Sequence, residues 1–132
     1  MDDTLYMENV PIDKQPGLFV RRVGGKELTD EEMIEYYSNL VKTYGIDGKI
    51  NCKWIYGLAV INEKGEIHTY TWSKDNFYMV ETPFSAIRPG YPLHSLSKYK
   101  KIDKYFDEVT EEEKNLLQVN ESHVVDFIAE HI

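Results

Sequence analysis

The segment from Ile50 to Ile61 constrains the fold most strongly, because it alternates along its whole length. Alternation with a period of two indicates a β-strand, and apolar residues on both faces indicate an interior position in a sheet. We therefore predict a long central strand over 49–62. The alternating set is Ile50, Cys52, Trp54, Tyr56, Leu58 and Val60 on one face, with Ile55, Gly57, Ala59 and Ile61 among the residues between them.

Further strand signals lie on both sides of this segment. A hairpin turn is predicted at Asn62-Glu63-Lys64-Gly65, followed by a strand over 66–73 and, after Lys74-Asp75-Asn76, a third strand over 77–81. The opening segment 4–10 is predicted as one short strand that Pro11 ends. Residues 82–96 contain three prolines and one glycine, which predicts an irregular loop.

Two capping boxes mark helix starts, since each places a threonine three residues before a glutamate. Thr29 and Glu32 open a helix predicted over 30–44, which Gly45 ends, and Thr110 and Glu113 open a second helix through Leu117. A third helical pattern covers 122–132. Helices and sheet together predict a single α/β (mixed α+β) domain over 1–132, with a central mixed sheet and flanking helices.

The composition excludes several function classes. The chain has 23 Asp and Glu residues against 15 Lys and Arg residues, so its net charge is −8. This charge disfavours a nucleic-acid-binding protein. It is compatible with a small phosphorylated ligand that is held through a divalent metal ion. The apolar stretches are too short to span a membrane, and the first residues do not resemble a signal peptide. The single cysteine, Cys52, is expected to be a buried, unreactive thiol. We expect a cytoplasmic domain.

Two features could carry chemistry. Asp2 and Asp3 form a carboxylate pair at a strand start that could hold Mg²⁺ and orient a water molecule. Taken alone, such a pair is more often a solvated acidic terminus. Lys114 lies one turn inside a capped helix, where a lysine is usually a surface charge that pairs with a glutamate such as Glu111 or Glu113.

Several short motifs resemble, in order and spacing, those of one enzyme family over nearly the whole chain. The motifs are Asp2-Asp3-Thr4, Pro16-Gly17-Leu18-Phe19 with Arg21-Arg22, Cys52, Arg88-Pro89-Gly90-Tyr91-Pro92, and the run from Phe106 to Asn115 with Glu113-Lys114 inside it. The chain resembles the inosine/xanthosine triphosphate pyrophosphatases, which hydrolyse deaminated purine nucleoside triphosphates.

The resemblance implies a fold, a reaction and a set of site residues. It implies an ITPase-like fold and Mg²⁺-dependent hydrolysis of ITP, XTP or dITP to the monophosphate and pyrophosphate, in a homodimer. Asp3 would activate the water and bind metal with Asp2 beside it. Thr4 and Lys114 would contact the nucleotide, and Tyr91 would stack on the purine.

Three departures from the family pattern leave an alternative open. Pro92 stands where an aspartate follows the aromatic residue, and Gln118-Val119-Asn120 replaces an S-H-R triplet, although Ser122-His123 lies nearby. The family's opening strand and phosphate loop have no counterpart after Met1, so an N-terminally truncated fold with weak or absent activity is expected. The alternative is an inactive dimerisation or nucleotide-binding module that keeps the scaffold.

Overall fold

The computed structural model describes residues 2–118 and 121–132 and contains a five-stranded sheet, a two-stranded ribbon and three helices. The five-stranded sheet has the strand order β1-β4-β5-β6-β7, and β2 pairs with β3. The strands are β1 (Asp2–Met7), β2 (Arg22–Val23), β3 (Lys26–Glu27), β4 (Lys49–Ile61), β5 (Ile67–Val80), β6 (Ser97–Tyr99) and β7 (Lys104–Tyr105), and the helices are α1 (Asp30–Tyr44), α2 (Glu111–Leu117) and α3 (Ser122–His131).

The predicted α/β class is confirmed, with one correction to the sheet. Every described strand pair is antiparallel, so the sheet is not mixed. The tight turn between β4 and β5 reverses the chain direction, and an antiparallel pair is what such a connection can form. The central strand is confirmed, because β4 lies between β1 and β5.

The second correction concerns β5, a single strand where the sequence predicts two. Lys74-Asp75-Asn76 does not interrupt it. Cys52 pairs with Phe77 and Trp54 pairs with Lys74, so β5 carries one extra residue at this point. A β-bulge absorbs such a residue and lets the ladder resume on both sides. The first strand also begins and ends earlier than predicted, at Asp2–Met7.

Both predicted capping boxes are present, and α1 has the predicted bounds. In α1 the Glu32 amide donates to the Thr29 hydroxyl at 3.2 Å, and the Thr29 amide donates to the Glu32 carboxylate at 3.1 Å. The buried face of α1 includes Met33, Tyr37 and Val41, and it packs against the half of the sheet near β1. The described part of the chain contains no helix that is long and apolar enough to cross a membrane.

The core lies between α1 and this half of the sheet. It combines side chains from β1, β4 and β5 with those of a 3₁₀ turn, Pro92–Ser95, that ends the predicted irregular loop. The turn is held by its buried serines: the Ser95 hydroxyl donates to the Pro92 carbonyl at 2.7 Å, and the Ser97 hydroxyl donates to the Leu93 carbonyl at 2.7 Å. The loop therefore ends in a fixed segment directly beside the sheet.

We expect the thiol of Cys52 to react with iodoacetamide at pH 8 at least about a hundredfold more slowly in the native protein than in urea. Cys52 is 3% exposed, as predicted, and burial raises its pKa to about 12. Thiolate is the reactive form, so the native thiol is both inaccessible and protonated. Mass-spectrometric labelling rates measure this, and equal rates in both states would contradict the buried position.

Candidate functional site

A cleft of about 580 Å³ opens beside the core, between the bulged part of the β4–β5 hairpin and α2. This volume is within the range that ordinary small-molecule sites occupy. Aromatic side chains form much of its wall, and lysine and glutamate side chains stand among them. The lining residues are Trp54, Tyr56, Lys74, Asn76, Phe77, His94, Tyr99, Phe106, Glu111, Lys114, Asn115, Leu117, Gln118 and Glu121.

The floor of the cleft follows from strand alternation. Trp54 and Tyr56 are two residues apart on β4, so their side chains point to the same face of the sheet. Trp72 on β5 lies directly opposite Tyr56, and the two rings stack at 5.3 Å between centroids. A planar, largely apolar surface of this kind suits a flat ring system.

One end of the cleft carries an ion pair that the sequence did not reveal. The Lys74 ammonium lies 2.7 Å from the Glu121 carboxylate, which also accepts a hydrogen bond from the Trp72 indole at 3.0 Å. The bond to Lys74 is the main reason that the pKa of Glu121 is lowered. Burial, with the charges of Glu121 and Asp3, raises the pKa of Tyr56. The alternation of β5 could have placed Lys74 here, but no motif marks Glu121.

The structure separates the predicted carboxylate pair. Asp2 and Asp3 are consecutive residues of β1, so their side chains point to opposite faces of the sheet. Asp3 lies directly opposite Tyr56 and on the same face, at the margin of the cleft. Thr4 shares the other face with Asp2, and its hydroxyl donates to the Ile55 carbonyl at 3.5 Å. Only Asp3 of this triplet is thus positioned toward the cleft.

This arrangement limits the metal site that the chain can form. Within residues 2–118 and 121–132, no group of three or more His, Cys, Asp or Glu side chains is placed to hold a metal ion. Asp2 and Asp3 point to opposite faces of β1, so they do not fit as joint ligands of one ion. Mg²⁺ is often held by one or two carboxylates together with substrate phosphates and water, and Asp3 fits that role as a single protein ligand.

Of the other two predicted residues, Lys114 lines the cleft and Tyr91 lies beside the lining residue His94. The ammonium of Lys114 lies 3.9 Å from the Glu111 carboxylate, which is the pairing with a nearby glutamate that we predicted for a surface lysine. Tyr91 is 51% exposed immediately before the 3₁₀ turn, with its ring centroid 5.1 Å from that of His94. The Arg88 guanidinium covers the Tyr91 ring at 4.5 Å.

The segment after α2 is only partly described. Gln118 lines the cleft, whereas Val119 and Asn120, which complete the substituted triplet, lie outside the described residues. His123, the nearby histidine, is 2.7 Å from the Tyr70 hydroxyl through its Nδ1 atom and does not line the cleft. The described residues therefore do not show it replacing the triplet's histidine.

The antiparallel sheet, its flanking helices and the cleft between them define an ITPase-like α/β fold. The chain is similar in structure to the Ham1 protein of Staphylococcus aureus, with a TM-score of 0.65 and 16% sequence identity. The similarity covers 97% of this chain and 62% of the Ham1 chain, so this chain spans less than two thirds of that protein's length. No protein-family model and no curated protein sequence matches the chain.

Proposed function

We propose that the chain is a nucleoside triphosphate pyrophosphatase that hydrolyses deaminated purine nucleoside triphosphates (ITP, XTP and dITP) to the monophosphate and pyrophosphate. The observation that carries this proposal is the cleft itself, in which an aromatic floor, Lys114 and the nearby Asp3 carboxylate come together within an ITPase-like fold. The family motifs of the sequence support the same reaction. A cytoplasmic location belongs to the proposal as well.

Each group has a separate task in this reaction. The aromatic floor around Trp54 and Tyr56 would hold the purine, with Tyr91 closing over it from the mouth of the cleft. The ammonium of Lys114 would donate to an oxygen of the nucleotide. Asp3 would accept a proton from the attacking water as the water's oxygen bonds to the α-phosphorus, and the bond from that phosphorus to the bridging oxygen breaks to release pyrophosphate.

Mg²⁺ belongs to the proposal because phosphoryl transfer accumulates negative charge on the phosphate oxygens. When bound, the ion would neutralise that charge. Of this chain's residues, Asp3 would hold it, together with oxygens of the substrate. Asp2 is left outside the site by the alternation of β1.

An inactive nucleotide-binding module is the second candidate function. The observation that favours it is the limited span of the similarity, since the chain matches 62% of the Ham1 chain. Such a module would bind the same nucleotides in the cleft and release no pyrophosphate, whereas a module for dimerisation alone would bind none.

A nucleotide panel tests the proposal. We expect ITP, XTP and dITP to quench the fluorescence of Trp54 and Trp72 saturably in the presence of Mg²⁺, and ATP and GTP to bind more weakly. Both tryptophans lie on the cleft side of the sheet, Trp54 in the lining and Trp72 stacked on Tyr56. The absence of saturable quenching by any of the five nucleotides would contradict the proposal.

We further propose a homodimer, and we expect light scattering at tens of micromolar to give a mass about twice 15.5 kDa. Val125 on α3 is 66% exposed, and Ile132, the residue directly after α3, is 78% exposed. A second copy of the chain would remove these apolar side chains from water. A single species at the mass of one chain would contradict this expectation.

A further inference from the structure

His94 and Asp107 form a half-buried pair at the end of the cleft where Lys114 lies. The Nδ1 atom of His94 is 3.7 Å from Asp107 Oδ1, and 34% of the histidine side chain and 18% of the aspartate side chain are exposed. His94 Nδ1 and Asp107 Oδ2 are themselves inaccessible to water, and neither has a hydrogen-bond partner within the described residues. Buried polar atoms normally have partners, so this pair invites a functional explanation.

The backbone around the pair is fixed. The His94 amide donates to the Tyr91 carbonyl at 3.2 Å within the 3₁₀ turn. On the other side, Asp107 follows Phe106, whose amide donates to the Ser97 carbonyl at 3.0 Å. The pair therefore lies on two segments whose backbones are held by hydrogen bonds.

The pair sets the direction of the imidazole. Nδ1 is buried on the side of Asp107 and His94 lines the cleft, so Nε2 is the ring nitrogen left for a ligand in the cleft. A carboxylate beside one ring nitrogen holds the proton there and leaves the other nitrogen as an acceptor. His94 thus offers the cleft a hydrogen-bond acceptor.

Burial is the main influence that favours the neutral imidazole of His94. Burial lowers the pKa of His94, and the charges of Arg88 and Lys114 lower it further against the opposing effect of Asp107. The ring lies between two aromatic rings, with centroid distances of 5.1 Å to Tyr91 and 5.4 Å to Phe106. These surroundings suit the edge of a flat base.

We infer that His94 is a specificity-determining residue of the cleft, and that Asp107 is its positioning residue. The inference rests on the proposed function and concerns the base of the nucleotide. The Nε2 atom of His94 accepts a hydrogen bond from the N1–H of a 6-keto purine, while the Lys114 ammonium donates to the adjacent O6 carbonyl.

The same pair of groups rejects adenine. Adenine presents an acceptor at N1 and a donor at its amino group, so it would place an acceptor against His94 and a donor against Lys114. A mismatched edge leaves buried polar groups unpaired, which is the strongest means that a site has to reject a close analogue. Guanine shares the keto edge, so His94 separates keto purines from adenine only.

The test measures equilibrium binding of ITP and ATP, with Mg²⁺, to the wild type and to His94→Phe, His94→Gln and Asp107→Asn. We expect His94→Phe to lower the ITP-to-ATP affinity ratio about tenfold by weakening ITP alone. Glutamine can place an amide oxygen near the position of Nε2, so His94→Gln should restore part of the ratio. Asp107→Asn should lower the ratio with His94 unchanged, and a thermal melt of each variant verifies that it folds.

Each other outcome overturns the inference in an identifiable way. Equal weakening of ITP and ATP in His94→Phe would place His94 against the phosphates or the ribose. An unchanged ratio in a folded His94→Phe variant would show that His94 makes no contact that distinguishes the two bases, while the wild-type preference for ITP would still support the proposed function. Binding of neither nucleotide by the wild type would defeat the proposed function and this inference together.

Discussion

The Asp3→Asn variant is expected to release pyrophosphate from ITP at least about a hundredfold more slowly than the wild type. Asparagine has the shape of aspartate, but it can neither accept the proton of the attacking water nor serve as a charged ligand of Mg²⁺. Asp3 lies opposite Tyr56 at the margin of the cleft. The pKa of that tyrosine is raised by burial first, and the charges of Glu121 and Asp3 raise it further. Initial rates with ITP and Mg²⁺ measure the effect.

Asp2→Asn is the matched control, because it makes the same chemical change one residue earlier on the opposite face of β1. We expect it to keep most of the wild-type rate. Equal losses in the two variants would restore the interpretation in which both carboxylates bind one ion. Full activity in Asp3→Asn would exclude Asp3 from the chemistry.

Leu96→Ala is expected to lower the free energy of unfolding by about 2–5 kcal/mol. Leu96 is 0% exposed, follows the 3₁₀ turn and packs into the core between α1 and the sheet, so its removal leaves a cavity. Urea unfolding measures the change. It should appear in the transition midpoint, with little change in the slope.

Leu116→Ala serves as the control, because Leu116 is 76% exposed on α2. The same loss of atoms there should change the free energy of unfolding by no more than about 0.5 kcal/mol. If the two variants lost equal stability, the position of Leu96 in the core would be wrong.

Local sequence signals predicted the elements of this fold well. The capping boxes at Thr29 and Thr110 are satisfied within one turn of helix, so their side-chain pattern determines where α1 and α2 begin. The turn at 62–65 likewise depends on neighbouring residues, with Asn62 accepting hydrogen bonds from the Lys64 and Glu66 amides at 3.0 Å.

Features that depend on which strands pair with one another were harder to predict. Lys74-Asp75-Asn76 has the composition of a turn, yet β4 and β6 both hydrogen-bond to β5, so the segment stays extended and forms a bulge. Whether neighbouring strands run parallel or antiparallel also depends on partners that are distant in the sequence. The sheet was therefore predicted as mixed, and all of its described pairs are antiparallel.

In the candidate site, too, the residues within short motifs were predicted, and those that meet only through the fold were not. Tyr91 and Lys114 were predicted because short motifs surround them. In the structure Lys114 lines the cleft, and Tyr91 lies beside His94, which lines it too. His94 and Asp107 were missed because they are thirteen positions apart and meet only through the 3₁₀ turn and the segment after β7. Asp2 was included in the predicted site because it is next to Asp3 in the sequence, whereas consecutive side chains of a strand point to opposite faces of the sheet.

The most direct test of the proposed function is the identity of the products formed from ITP. Micromolar protein, ITP and Mg²⁺ are incubated for hours, so that even slow turnover is detected, and the nucleotides and phosphates are separated chromatographically. We expect IMP and pyrophosphate in equal amounts, with ATP a poorer substrate. Orthophosphate with IDP, or unchanged ITP after many hours, would contradict the proposed function.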